Sequence, residues 1–288
     1  MEPKDRRTLE DFFSLRDRVA VVTGGGGALC GTMAVALGRL GAKVAVLDLK
    51  SDAARDRSDQ IRAEGGTAEP VACNVLEEDE LRRACDRVSG LWGPPDVLIN
   101  GAGGNDPRGS TAVEFLEPAD VGRPGAGTFF DLGLDGFRAT FDLNFIGTFL
   151  PTKVFGAGMA KRGCGSIINI ASLNSLTPLT KIPAYSAAKA AVANFTRWLA
   201  VHLAHAGLRV NALVPGFFMT EQLRFLHVDQ KTGELTPRAK MAVGRTPLGR
   251  YGLPEDLLGA VIWLASDASS FVTGTLVTID GGYTAYSL

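Results

Sequence analysis

The chain has 288 residues, 45% of them hydrophobic, with 30 Lys and Arg against 31 Asp and Glu. That is enough apolar chain for a packed core, which excludes a disordered protein, and one α/β domain of this length is ordinary. A formal net charge of −1 supplies no basic face for nucleic acid or anionic lipid. No run of eighteen apolar residues offers a membrane helix, and the opening MEPKDRRTLEDFF lacks the apolar stretch of a signal peptide.

Residues 18–23 (RVAVVT) are short, apolar and β-branched, which predicts a strand buried on both faces. Apolar residues then return at helical spacing over 28–40, and Gly41 stands where a C-terminal cap belongs. Further strands are predicted at 43–48, 68–73, 96–100, 166–171, 209–214 and 276–280. Helices are predicted at 51–63, 77–89, 135–161, 183–205 and 255–266. Seven strands alternating with helices predict a Rossmann-type, doubly wound α/β fold: a parallel sheet with helices on both faces. No repeat or Pro/Ser-rich linker divides the chain. The expected organisation is an N-terminal extension over 1–15 and a single Rossmann-type domain over 16–288.

Two stretches interrupt the alternation. Residues 103–136 are rich in Gly, Pro and Asp, and 217–246 contain Pro237. Both follow strand carboxyl ends, where open α/β sheets bind ligands, so they are expected to form an active-site wall and a lid.

The first turn, TGGGGALCG at 23–31, joins the first strand to the first helix. Glycine there lets backbone approach a pyrophosphate while amides of the helix N-terminus face it. Asp48 ends the next strand, and its carboxylate suits the two hydroxyls of an adenine ribose and repels a 2′-phosphate. Strand, turn, helix, strand and acid in that order predict a dinucleotide site for NAD. Lys50 is the only cation expected nearby.

Tyr185 and Lys189 stand four residues apart on one predicted helix face. Ser172 follows the buried strand SIINIA, and Asn144 lies in FDLNFIGTF. With the glycine turn, Asn100-Gly101-Ala102-Gly103, Pro215-Gly216 with Thr220, and Asp280-Gly281-Gly282, these residues resemble a single-domain short-chain dehydrogenase/reductase over about 16–283. A finer likeness is to the sugar-acid subgroup of D-mannonate oxidoreductases (fructuronate reductases). It is carried by TGGGG at 23–27, LTKIPAYSAAKAAVANFTRWLAVHLA at 179–204, PGFFMTEQ at 215–222 and DGGYTAYS at 280–287.

The resemblance implies an NAD-dependent oxidoreductase interconverting a secondary alcohol and a ketone. Tyr185 would be the general acid and base. Lys189 would lower its pKa and hold the nicotinamide ribose. Ser172 would orient the substrate oxygen, and Asn144 would support a proton relay. Cofactor contacts are implied for Gly24, Gly27, Leu29, Asp48, Asn74, Val75, Asn100, Gly101, Ala102, Tyr185, Lys189, Pro215, Gly216, Phe218 and Thr220. Asn105, Asn174 and Lys181 are expected to join Ser172 and Tyr185 around the substrate, Lys181 as the partner of a carboxylate. A cytoplasmic homotetramer is implied. The alternatives are a reductase of another polyol or neutral ketone, and a non-catalytic NAD-binding sensor.

Three features depart from the family pattern. Ala28 and Cys30 replace glycines of the turn, Asn74 stands where an acid is common, and Asn100-Gly101 replaces Asn-Asn. Among weaker signals, His202, His205 and His227 lack converging partners for a metal. Cys73, Cys85 and Cys164 read as buried or half-buried reduced thiols without C-x-x-C spacing. The pairs Phe129-Phe130 and Phe217-Phe218 read as core or lid packing. Arg6-Arg7 and Lys161-Arg162 are too short for nucleic-acid patches.

Overall fold

The computed structural model describes residues 8–220, 224, 227–230 and 232–286. The Arg6-Arg7 pair and parts of the expected lid lie outside these residues. Seven strands form one parallel sheet: β1 (Val19–Thr23), β2 (Lys43–Asp48), β3 (Thr67–Ala72), β4 (Val97–Asn100), β5 (Gly165–Ile170), β6 (Leu208–Pro215) and β7 (Leu276–Ile279). Their order is β3-β2-β1-β4-β5-β6-β7. The chain reverses direction across the sheet between β1 and β4, and that switch point opens a crevice at the strand carboxyl ends.

Successive side chains of a strand face opposite ways, so each apolar strand feeds two cores. In register, Val21 pairs with Leu98 and Leu98 with Ile167; one residue on, Val22 pairs with Ile99 and Ile99 with Ile168. Val22, Ile99 and Ile168 pack with Met33 and Leu37 of α2 (Ala28–Arg39). Val21, Leu98 and Ile167 pack on the other face with Leu81 of α4 (Glu78–Trp92) and Phe155 of α6 (Gly147–Arg162). Each such fully buried aliphatic side chain contributes about 1.5–3 kcal/mol. Pro70 costs the sheet little because β3 is an edge strand. At the N-terminus a short helix, α1 (Leu9–Phe13), leads into Leu15, which is fully buried in the core one residue before the expected domain start.

Most predicted elements recur within two residues at each end, α3 (Ser51–Ala63) and β2 without change. The helix expected over 135–161 is broken. α5 (Leu134–Phe141) gives way to a π-helical turn over Asp142–Ile146 before α6 begins. Such widened turns re-aim side chains and gather at functional sites, and this one holds Asn144. α7 (Pro183–His202) stops before His205, which sits in a separate 3₁₀ turn closed by Gly207 in the left-handed region. Two further helices, α8 (Pro237–Gly244) and α9 (Leu258–Ala265), complete the described chain.

Several surface expectations are corrected. Phe129 and Phe130 are exposed rather than packed, and so is Cys164. His227, expected only to lack metal partners, is buried; among the described residues its Nδ1 has no partner, and its ring lies 5.4 Å from that of Tyr251.

Candidate active site

The glycine turn is shaped by close backbone approach. Gly24 has φ +63, and a Cβ there would lie 2.9 Å from the Ala102 backbone. Gly26 is pressed on Ala53 of α3, where a Cβ would meet it at 2.6 Å. Gly27 is the N-cap of α2 and brings no side chain to the first helical amides. Those amides, at the positive end of a twelve-residue helix, are donors suited to a pyrophosphate. Leu29, in that first turn, is half-buried against the core.

At the end of β2, Asp48 Oδ2 accepts from Gly26 N (3.1 Å) and Oδ1 from Lys50 N (3.0 Å). The carboxylate is thus anchored beside the turn. One cation escaped the sequence reading. A Cβ at Gly31 would overlap the guanidinium of Arg57, which bonds Gln60 Oε1 at 2.7 Å. Its position on α3, six residues after Ser51, was the available clue.

The exit of β4 is held to this turn by Thr23, whose Oγ1 accepts from the amides of Gly101 (3.0 Å) and Ala102 (3.2 Å). Among the implied cofactor contacts, Asn100 turns its side chain into the core. Its Nδ2 donates to Thr152 Oγ1 and Asn169 Oδ1, both at 2.8 Å, inside the core, and its Oδ1 is buried without a partner. Asn74 uses its side-chain carbonyl locally, accepting from Leu76 N at 3.0 Å. Val75 is buried against Gly147. Pro215 ends β6, and Gly216 lies against Asp280, where a Cβ would meet it at 2.6 Å. The Phe218 ring is in the core, packed on Gly252, which leaves only its backbone for a ligand. Thr220 is half-buried.

The catalytic candidates converge above β4 and β5. Ser172 is buried and N-caps the 3₁₀ turn Leu173–Ser175. Ser172 lies close enough to Tyr185 to favour its phenolate. Lys189 is buried, its Nζ 5.7 Å from the Tyr185 ring centroid and donating to Ile170 O at 2.7 Å. Burial pushes the Lys189 ammonium down to about 8. Burial also raises the Tyr185 phenol, and Ser172 only partly opposes this. The expected lowering of Tyr185 by Lys189 is therefore not the net direction, because desolvation of the phenol outweighs the rest.

Asn144 is fully buried in the π turn. Its Nδ2 donates to Gly104 O (2.6 Å) and Thr140 O (2.7 Å), and its Oδ1 accepts from Gly104 N (3.2 Å). A Cβ at Gly103 would lie 2.6 Å from Asn144 Oδ1 and 3.3 Å from Lys189 Nζ, so the two groups are neighbours across that glycine.

The other substrate candidates are not all beside the reacting pair. Asn174 is buried; its Nδ2 donates to Ser172 Oγ at 3.2 Å, and its Oδ1 accepts from Leu179 N and Ser186 Oγ, both at 3.0 Å. It positions Ser172 and has no free acceptor facing the cleft. Lys181 is exposed, in a left-handed conformation (φ +71). It lines a cavity of about 520 Å³ with Phe129, Asn174, Pro183, Ser186 and Ala190. Those helical positions form a different face of α7 from Tyr185 and Lys189, and neither Ser172 nor Tyr185 lines that cavity. Asn105 is exposed and donates to Ser110 Oγ at 2.9 Å.

The chain is similar to known oxidoreductases over nearly its whole length. A family profile described as enoyl-(acyl carrier protein) reductase matches residues 28–284. The uncharacterized oxidoreductase UxuB of Bacillus subtilis is 47% identical over 275 residues, 95% of this chain and 97% of the relative. A crystal structure from Haemophilus influenzae, provisionally assigned as a D-mannonate oxidoreductase and holding NAD, is 42% identical. It aligns with TM-score 0.88 over 97% of this chain and 99% of that one. A gluconate 5-dehydrogenase from Burkholderia cenocepacia, in complex with NADP and tartrate, is 31% identical, with TM-score 0.81 over 97% and 100% of the two chains. The seven-stranded parallel sheet, the glycine turn before α2 and the cluster of Ser172, Tyr185 and Lys189 lead to one assignment: the chain belongs to the short-chain dehydrogenase/reductase family of oxidoreductases.

Proposed function

We propose that this enzyme interconverts a secondary alcohol and a ketone on a sugar acid, with NAD(H) as cofactor and D-fructuronate/D-mannonate as the first pair to try. The observation that carries the chemistry is the cluster of buried Ser172, Tyr185 and buried Lys189, with Lys189 Nζ 5.7 Å from the Tyr185 ring centroid. Bound nicotinamide supplies or accepts the hydride. Tyr185 gives its phenolic proton to the carbonyl oxygen during reduction and takes it back during oxidation. Its raised pKa keeps the phenol protonated at neutral pH, the form reduction needs. Ser172 Oγ holds the same oxygen. Lys189 holds the nicotinamide ribose and, next to Asn144 across Gly103, passes protons inward from solvent.

The residues at the turn fit a dinucleotide: uncapped amides at the start of α2, and Asp48 anchored by Gly26 N and Lys50 N. A 2′-phosphate beside Asp48 makes a like-charge contact in a partly dry cleft, which favours NAD. Arg57 is drawn over Gly31, one helical turn beyond the Asp48 contact. The sugar-acid assignment rests on the Haemophilus and Burkholderia structures and on the segments quoted above for the D-mannonate subgroup. A homotetramer is part of the proposal, supported by exposed Phe149, Trp198 and Val201 on α6 and α7. A cytoplasmic location fits the four free cysteines.

The test is NADH or NADPH absorbance against a panel of sugar acids and neutral ketoses. Turnover of fructuronate with NADH supports the reading. Turnover of neutral ketoses alone overturns the substrate, and a higher kcat/KM with NADPH overturns the cofactor.

A further inference from the structure

Two of the departures in this sequence meet in space. A Cβ placed at Gly101 would overlap the sulfur of Cys30, lie 3.2 Å from Cys30 Cβ and stand 2.9 Å from Thr23 O. Cys30 is on the first turn of α2, and Gly101 is the first residue after β4. The thiol therefore occupies the room that a side chain at 101 would take, and glycine at 101 is what admits it. Cys30 is 5% exposed. Burial lifts its thiol to about 12, so near pH 7 it is neutral and acts by filling space.

The contact lies on a ribbon that leads to the catalytic groups. Residues 101–104 begin at the amides held by Thr23 Oγ1. They continue through Gly103, which separates Asn144 Oδ1 from Lys189 Nζ, to Gly104, whose N and O both bond the Asn144 side chain. Three contacts hold this ribbon to the glycine turn: Thr23 Oγ1 on its amides, Gly24 against Ala102, and Cys30 against Gly101. The first is a hydrogen bond to the amides and the second is backbone against backbone, whereas the third is a side chain filling space.

We propose that Cys30 is a positioning residue. Its side chain, matched to the missing one at Gly101, sets the separation between the glycine turn and the 101–104 ribbon, and so couples the dinucleotide cradle to Lys189 and Asn144. The proposal rests on the dinucleotide reading above. It explains why a residue other than glycine is tolerated in the turn here: the bulk moved from one side of the contact to the other.

The experiment is a size series at position 30 with a crossed change at 101, read as Kd for NADH by fluorescence titration and, separately, as Tm. Cys30→Ser, nearly isosteric, should bind within about twofold of wild type. Cys30→Gly should raise Kd several-fold, and Cys30→Val should raise it at least as much by pushing on Gly101. Gly101→Ala should raise Kd tenfold or more. The double variant Cys30→Gly/Gly101→Ala should recover most of that loss, leaving only the smaller conflict with Thr23 O. A purely structural role would move Tm without a Kd minimum at the size of cysteine and without recovery in the double variant. A flat Kd across the position-30 series overturns the proposal, as does a double variant whose loss is the product of the single losses. Should Gly101→Ala fail to fold, the position-30 series decides alone. Failure of wild type to bind NADH would instead strike the dinucleotide reading.

Discussion

Between β1 and β4 the cleft is shaped by backbone in close contact, whereas above β5 it is shaped by side chains on a loop. On the first side, Gly24 lies against Ala102, Gly26 against Ala53 and Cys30 against Gly101, and amides are bound directly by Thr23 and Asp48. On the second, Ser172 is held by Asn174, which is itself held by Leu179 N and Ser186 Oγ. Backbone geometry tolerates few residues and therefore leaves a legible motif. A side-chain network can be built in many ways, and its members look ordinary in a sequence.

The largest expected effect tests the reacting pair on which the two sides converge. Tyr185→Phe removes only the transferable proton, so kcat should fall about 10³-fold while Kd for NADH changes less than about twofold. Unchanged kcat would refute the assignment of the acid. On the backbone-built side, Asp48→Ala should narrow the preference for NADH over NADPH in kcat/KM by about a hundredfold, because a like-charge contact of a few kcal/mol disappears. A preference that stays put would move the discriminating charge elsewhere, with Arg57 the first residue to examine.

On the side-chain-built side, Asn174→Ala should lower stability by about 1–3 kcal/mol, since it strands the Leu179 amide and the Ser186 hydroxyl and unties Ser172. Chemical denaturation measures the first effect, and a several-fold drop in kcat should accompany it. A stable variant with a raised substrate KM would instead place Asn174 against the substrate.

Lys189 gives a pH signature of the dry interior. Its ammonium, at about 8 in the folded protein against 10.5 as the ordinary value, binds fewer protons folded than unfolded between those limits. Stability should therefore rise with pH there. The buried thiols of Cys30 and Cys73, raised to about 12 and about 11, act oppositely above pH 9, where only their unfolded forms ionise. Between pH 8 and 9, cofactor-free wild type should gain about 1 kcal/mol per pH unit more than Lys189→Met. Parallel denaturation curves over that interval would contradict the burial of the charge. The smallest effect is expected at Lys181. Lys181→Met should change KM for a sugar acid less than about twofold, the ordinary result for an exposed lysine; a tenfold rise would bring it back to the substrate.

The alternation of buried strands and helices, the glycine turn, Asp48, and Ser172 with Tyr185 and Lys189 were all legible in the sequence. The elements, the turn and the Tyr185–Lys189 pair rest on local rules: period 2 or 3.6, a backbone that must be glycine, or a four-residue spacing on one helix face. Asp48 is read from its place at the end of the second strand, and the role of Ser172 comes from the family resemblance. Only the tertiary structure decided which way the polar side chains point. Asn100 turns into the core toward Thr152 and Asn169, Asn174 turns back onto Ser172, and Lys181 opens onto another face of α7. It also decided that Asn144 sits in a widened turn and that Cys30 and Gly101, 71 positions apart in the sequence, share one space. Those outcomes depend on the distance between elements brought together by the sheet order, a quantity that no local pattern of residues encodes.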